Sequence, residues 1–436
     1  MRKLIIRNGR VIDPATGLDA VCDVLIENGR IASVGENLHV TGAEKFDATG
    51  LVVTPGFIDM HVHLREPGFE YAETIESGAR AAAAGGFTTI CCMPNTSPIN
   101  DNATVTSYII ERALKQAVVN VFPIGAITKN SAGEELAAIG SMKQAGIVAI
   151  SDDGRPVMNA RVMRRAMETA RSFGIPVIDH CEDLHLSAGG DMHEGVESVR
   201  LGLRGIPAAS EEVMVARDIL LAELTGPRLH VAHISSRHSV EMVAFAKSRG
   251  LRVTSEATPH HFALSDREMR PYDSNYKMKP PLRSACDVRS VTHGLISGAV
   301  DAIATDHAPH AGSEKMQEFE KCPFGVIGLE TAVGLALERL VHPGKITLAR
   351  MVELFTTGPA RVLNLNRGNL AAGTPGDITI LDPERAWTYD VNKSASKSRN
   401  SPFDRHTFRG GPVAAIVNGR IAWAAERLGL DAAAAK

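Results

Sequence analysis

The sequence predicts an α/β fold: a (β/α)8 barrel of the TIM type, with a composite β-sandwich built from both chain termini. Three observations carry this. From about residue 55, eight apolar runs alternate with helix-forming segments over roughly 300 residues, as a closed parallel barrel requires. The flanks read instead as short strands with tight turns. Val417-Asn418-Gly419-Arg420-Ile421 near the end echoes Arg7-Asn8-Gly9-Arg10-Val11 near the start, and neither terminal piece can bury a two-sided sheet alone. The expected division is 1–54 for the first part of the sandwich, 55–365 for the barrel, and 366–436 for the rest of the sandwich and a tail.

In the first segment, Asn-Gly pairs at 8–9 and 28–29 stand between apolar runs, and each is a hairpin signal. The barrel strands are expected at 57–60, 88–93, 119–127, 147–150, 176–178, 229–232, 252–255 and 299–304. Helices are expected over 71–84, 161–173 and 239–249, each stopped by glycine at 85, 174 or 250. An open doubly wound sheet is the competing architecture. It would place a Gly-rich phosphate turn after the first barrel strand, where His61 and His63 stand instead. After residue 366 the chain returns to strands at 376–383 and a hairpin over 413–423. Residues 424–436 are Ala-rich and expected as a frayed helix or tail.

Composition narrows the function. The chain of 436 residues is 44% hydrophobic and 22% charged, with a net charge of −3, so no basic surface points to nucleic acid. No apolar run reaches transmembrane length, and the first residues enter a strand pattern without a signal-like apolar stretch, so cytoplasm is the expected compartment. Six cysteines, none spaced C-x-x-C, are expected as buried free thiols.

The chemistry gathers at the C-terminal ends of the expected barrel strands, where such barrels carry their catalytic groups. His61 and His63, two apart on a strand, aim at one side, and Arg65 continues the alternation with a fork suited to a carboxylate. Asn95 follows the second strand. Asp152 and Asp153 follow the fourth, His180 and Glu182 the fifth, His233 the sixth, Glu256 and His260-His261 the seventh, and Asp306, His307 and His310 the eighth. One strand-end histidine is usually structural. Histidine or acid at the same end of five strands points to metal, and four histidines with two aspartates suffice for two ions.

These residues lie in words that resemble the amidohydrolase superfamily, and within it the class I dihydroorotases. They are Asp59-Met60-His61-Val62-His63-Leu64-Arg65-Glu66-Pro67-Gly68, Met93-Pro94-Asn95-Thr96, Ser151-Asp152-Asp153-Gly154, Asp179-His180-Cys181-Glu182, His233-Ile234-Ser235, Thr258-Pro259-His260-His261, Pro280-Pro281-Leu282-Arg283, and Ala304-Thr305-Asp306-His307-Ala308-Pro309-His310. The resemblance spans nearly the whole chain.

The resemblance implies up to two Zn2+ per subunit. His61 and His63 would bind one with Asp306, and His180 and His233 the other. Asp153 would bridge them in place of the carboxylated lysine of many relatives, with Asp152 the alternative. Asp306 would double as proton shuttle. Arg65, Asn95 and His310 would hold the substrate carboxylate, with His63, Leu64, Lys279 and the Phe324-Gly325 backbone completing the substrate set. The family usually has asparagine where this chain has Lys279, which reads either as an attractor of anionic substrate or as a solvated rim lysine. The implied activity is the reversible interconversion of L-dihydroorotate and N-carbamoyl-L-aspartate in pyrimidine synthesis. The alternatives are a hydantoinase or allantoinase type, or a non-catalytic partner of aspartate transcarbamoylase. A homo-oligomer is expected, with an aspartate transcarbamoylase as candidate partner. Residues 308–325 start at the catalytic face and carry a charged middle with few apolar anchors, which suggests a lid.

Overall fold

The computed structural model describes residues 2–425, so the tail expected at the C-terminus lies, from residue 426 on, outside the described residues. Parallel pairing runs through Phe57–Val62, Phe87–Cys92 and Asn120–Pro123. It resumes through Val177–Asp179, Leu229–Val231, Val253–Ala257 and Ala302–Ile303. Between these runs, Ile150 bridges Gly125 on one side and Val177 on the other, and Val62 bridges His307 to close the ring. Eight positions therefore complete the barrel. The fourth is reduced to single bridges but keeps its backbone paired: Ser151 N–H donates to Gly125 O, and Ile178 N–H to Ile150 O, both at 2.9 Å.

The expected helices form, with one later start. The helix expected from residue 71 is Ile75–Ala84, because Thr74 caps it: its hydroxyl accepts from Ser77 N–H, and the Ser77 hydroxyl oxygen accepts from Thr74 N–H at 3.0 Å. Ala160–Phe173 ends at Gly174 with φ 66°, and Arg237–Ser248 is capped by the Ser236 side chain. Met60, Cys91, Ile124, Ala149, Ile178, Ala232 and Ala302, from seven barrel positions, pack into one cluster that fills the lumen below the strand ends.

The termini share one sheet. Its order is Arg420–Ala424, Thr407–Val417, Ile378–Thr388, Val52–Pro55, Lys3–Asp13, Leu18–Glu27, Arg30–Gly35, and Glu44–Asp47 also pairs with Lys3–Asp13. Side chains alternate between two cores, as period 2 demands. Val53, Ile378, Ile380 and Ile416 enter a core of the sheet's own, while Val52, Leu381 and Val417 pack on the barrel. Burying each such aliphatic side chain stabilises by about 1.5–3 kcal/mol.

Two Asn-Gly signals hold and one does not. Glu27 pairs with Arg30 and Val417 with Arg420, so Asn28-Gly29 and Asn418-Gly419 are two-residue turns, all four at positive φ. Asn8-Gly9 is a bulge inside one strand. Asn8 N–H donates to Asp23 Oδ1 at 3.1 Å, and a Cβ on Gly9 would lie 2.5 Å from Val53 Cγ2. The bulge passes the strand from Glu44–Asp47 to Val52–Val53. All six cysteines are free, and only Cys286 is exposed. Among the described residues, no helix is long and apolar enough to cross a membrane.

Candidate metal centre

The first barrel strand delivers its two histidines to the point where the ring closes. His61 donates from Nδ1 to Glu256 Oε1 at 2.7 Å, and His63 from Nδ1 to the Asn95 side-chain oxygen at 2.8 Å. Each therefore turns a bare Nε2 inward. Nε2 of His63 lies 3.0 Å from Asp306 Oδ1, and Nε2 of His61 lies 3.5 Å from the same oxygen. This is the pattern by which an outer acceptor fixes the tautomer of a ligand histidine.

Asp153 occupies the centre. Its Oδ1 is 3.3 Å from His61 Nε2 and 3.6 Å from both His180 Nδ1 and His233 Nε2, and its Oδ2 is 3.5 Å from His63 Nε2. Burial pushes this carboxyl up, but His61, then His180 and His233, hold it well below the usual carboxylate range. Asp152 faces away. It accepts from Ile127 N–H at 2.8 Å and Thr128 N–H at 3.1 Å and pins the loop after the third strand.

On the far side, His180 donates from Nε2 to Glu182 Oε2 at 3.0 Å, which leaves its Nδ1 lone pair 2.8 Å from His233 Nε2. Lys279 Nζ reaches the other oxygen of Glu182 at 2.7 Å.

A cation fits this cluster. His61 Nε2 and Asp153 Oδ1, both facing the cluster, are buried without a hydrogen-bond partner. The ligand atoms of His61, His63 and Asp306 lie within 4.8 Å of one another, as do those of His61, Asp153 and His233. Imidazole and carboxylate together are a borderline donor set suited to zinc. Asp179, Cys181 and Asp218 also cluster, but Arg217 already supplies their positive charge, with Nη2 2.7 Å from Asp218 Oδ1. Backbone strain marks the site: Arg65, His233 and Asp306 sit at φ 61°, 30° and 47°. Such conformations cost about 1–3 kcal/mol each and collect at functional sites.

Beside the cluster, Arg65 donates from Nε to Pro309 O at 3.1 Å, and its Nη2 is 3.4 Å from His310 Nε2. Burial, then Arg65, brings His310 down to about 3, so its ring is neutral. Its Nε2–H donates to Phe324 O at 2.8 Å. Leu64 turns its side chain into the barrel core against Gly78 and offers the site only backbone. Residues 308–325 are better anchored than their sequence suggests. Phe319 and Cys322 are buried. The enclosed Lys315 ammonium donates to Pro323 O at 2.9 Å and Gly325 O at 3.1 Å. A charged residue here serves as an anchor.

Several site residues escape sequence reasoning. Glu256 reads only as a strand-end acid, yet it orients His61. Asp59 accepts from Thr305 N–H and His61 N–H, both at 3.1 Å, tying the first strand to the eighth. Burial pushes its carboxyl up to about 7. Asn400, from the C-terminal segment, donates to Ala308 O and Gly325 O at 3.0 Å and accepts from His310 N–H at 3.2 Å. Only the Asp-x-His-x-His spacing hinted at Asp59; nothing local marks Asn400.

Comparison with known proteins converges on one chemistry. Residues 50–239 match the model of a family described as dihydro-orotase-like. The chain is 71% identical over 420 residues to a dihydroorotase of Solibacter usitatus, covering 96% of this chain and 98% of that protein. It is 56% identical over 419 residues to a dihydroorotase of Pelotomaculum thermopropionicum, again 96% and 98%. Among solved structures, an L-hydantoinase (dihydropyrimidinase) from Arthrobacter aurescens superimposes with a TM-score of 0.87 at 25% identity, covering 97% of this chain and 96% of that one. A D-hydantoinase gives a TM-score of 0.84 at 25% identity over 96% and 95%.

Proposed function

The chain belongs to the dihydroorotase family, and on that premise we propose which of its residues interconvert L-dihydroorotate and N-carbamoyl-L-aspartate. The enzyme is a metal-dependent cyclic amide hydrolase. Zinc would suit this donor set, up to two ions per subunit: His61, His63 and Asp306 would hold one and His180 and His233 the other, with Asp153 within reach of both lobes. When bound, the metal supplies Lewis acidity, which polarises the scissile carbonyl and acidifies a water.

The protein's own groups do the rest. Arg65, with Asn95 and neutral His310 beside it, binds the substrate carboxylate and fixes the ring's orientation. The Phe324-Gly325 backbone meets the ring's polar edge. Asp306 accepts the proton of the attacking water and passes it to the departing ring nitrogen, and ring closure runs the same transfer in reverse. The observation that carries this reading is the convergence of four imidazoles on Asp153, which lies within 3.6 Å of all of them.

The same reading places the enzyme in the cytoplasm and in pyrimidine synthesis. It expects a homo-oligomer and takes aspartate transcarbamoylase as a candidate partner, to be checked by native mass with and without that protein. The central test is turnover of L-dihydroorotate against hydantoin and allantoin, with chelator and after zinc is restored. Chelator-sensitive turnover of dihydroorotate alone is expected. Equal turnover of the neutral rings would remove the role given to Arg65.

A further inference from the structure

We propose that Lys279 is a positioning residue of the metal centre: through Glu182 it fixes the His180 imidazole, and so the second metal position. This rests on the metal-centre reading above. Glu182 has a partner at each oxygen: Lys279 forms an ion pair with Nζ 2.7 Å from Oε1, and His180 Nε2 hydrogen-bonds Oε2 at 3.0 Å. The second contact leaves the lone pair of His180 on Nδ1, facing His233 Nε2 at 2.8 Å and Asp153 Oδ1 at 3.6 Å. The other imidazole of this lobe has no carboxylate behind it: among the described residues, Nδ1 of His233 is buried without a hydrogen-bond partner. Glu182 is therefore the one carboxylate that holds an outer imidazole nitrogen in this lobe among the described residues.

That carboxylate is buried, and its counter-ion is Lys279, whose side chain keeps 28% of its exposure. The ammonium also stands 4.9 Å from the centre of the Phe324 ring, which holds it in place. Without Lys279, Glu182 would be an enclosed anion with one partner fewer, and it would hold His180 less firmly. A lysine committed in this way acts on the metal first. One that recruits the anionic substrate would act on KM and leave the metal alone.

The experiment uses the full chain loaded with zinc and dialysed against graded chelator, with bound metal counted by elemental analysis beside KM and kcat. Lys279→Met is expected to give up one of two equivalents at roughly 10–100-fold lower chelator, the usual size of an outer-sphere effect on metal affinity. The other equivalent should follow the wild-type curve, and Lys279→Arg should restore the first. Glu182→Gln should reproduce the selective loss, and it serves as the test if Lys279→Met does not fold. Retention of both equivalents in these variants, with only KM raised, would overturn the proposal and make Lys279 a substrate contact. A wild-type chain that never binds a second equivalent would overturn the two-ion reading itself.

Discussion

His61 and His180 each give an outer nitrogen to a carboxylate, Glu256 at 2.7 Å and Glu182 at 3.0 Å. The two lobes differ in what stands behind that carboxylate. Glu256 passes its second oxygen to His230 Nε2 at 3.2 Å, and His230 Nδ1 meets the Thr254 hydroxyl at 2.8 Å. Both Glu256 and His230 are fully enclosed. Glu182 leans on Lys279, which reaches solvent. One lobe is braced by the barrel wall, the other by a rim side chain. An outer shell can thus be built into the fold or attached at its edge, and only the first arrangement is insulated from solvent and substrate.

Variants can break or sharpen this contrast. Asp153 belongs to both lobes, so its effect should be largest. Taking one partner from a buried charge cluster costs about 3–5 kcal/mol, and Asp153→Asn is expected to lose both metal equivalents and turnover with them. Elemental analysis that finds one lobe still filled would show that Asp153 serves only the other.

Asp306→Asn comes next. Loss of a general acid/base typically costs about 10²–10⁴-fold, so kcat should fall by that much while circular dichroism stays native and the His180 lobe keeps its metal. Near-normal kcat would place the base elsewhere. Arg65→Ala should cost about 2–5 kcal/mol in kcat/KM on dihydroorotate, the usual size for a desolvated charge pair. A neutral cyclic imide should lose far less, and equal losses would make Arg65 a structural residue.

The smallest effect is expected at Glu256→Gln. It should weaken metal retention in the His61 lobe by about 10–100-fold and leave the His180 lobe unchanged. Chelator titration would sink the two-lobe picture if both equivalents weakened together.

The barrel and the histidines and acids gathered at its strand ends were legible because each is a local pattern: an apolar run followed by a histidine or acid. What the sequence could not separate depends on direction or distance. Asp152 and Asp153 are neighbours of identical chemistry, and the backbones of Ile127 and Thr128, which claim Asp152, tell them apart. Glu256 meets His61 across 195 residues, so no spacing announces it. Asn8-Gly9 has the composition of a turn, but its pairing with Asp23 and Val53 is settled by strands that arrive later. Lys315 looks like surface charge until the carbonyls of Pro323 and Gly325 close around it.

Gly56 joins the terminal sheet to the first ligand strand, and its N–H donates to Asp377 O at 2.8 Å. A Cβ there would lie 2.1 Å from Thr88 Oγ1, so the joint has no slack. Ile380 pairs with Val53 in the strand just before this joint. During synthesis, the strand bearing His61 and His63 is made early, yet its anchor waits for a partner made more than three hundred residues later. A ribosome-bound chain that ends before residue 377 would hold every proposed metal ligand and lack both this clamp and Asn400. Such long-range closure is slow and exposes unpaired edges meanwhile. The centre is therefore a late product of folding, finished only when the two ends of the chain have met.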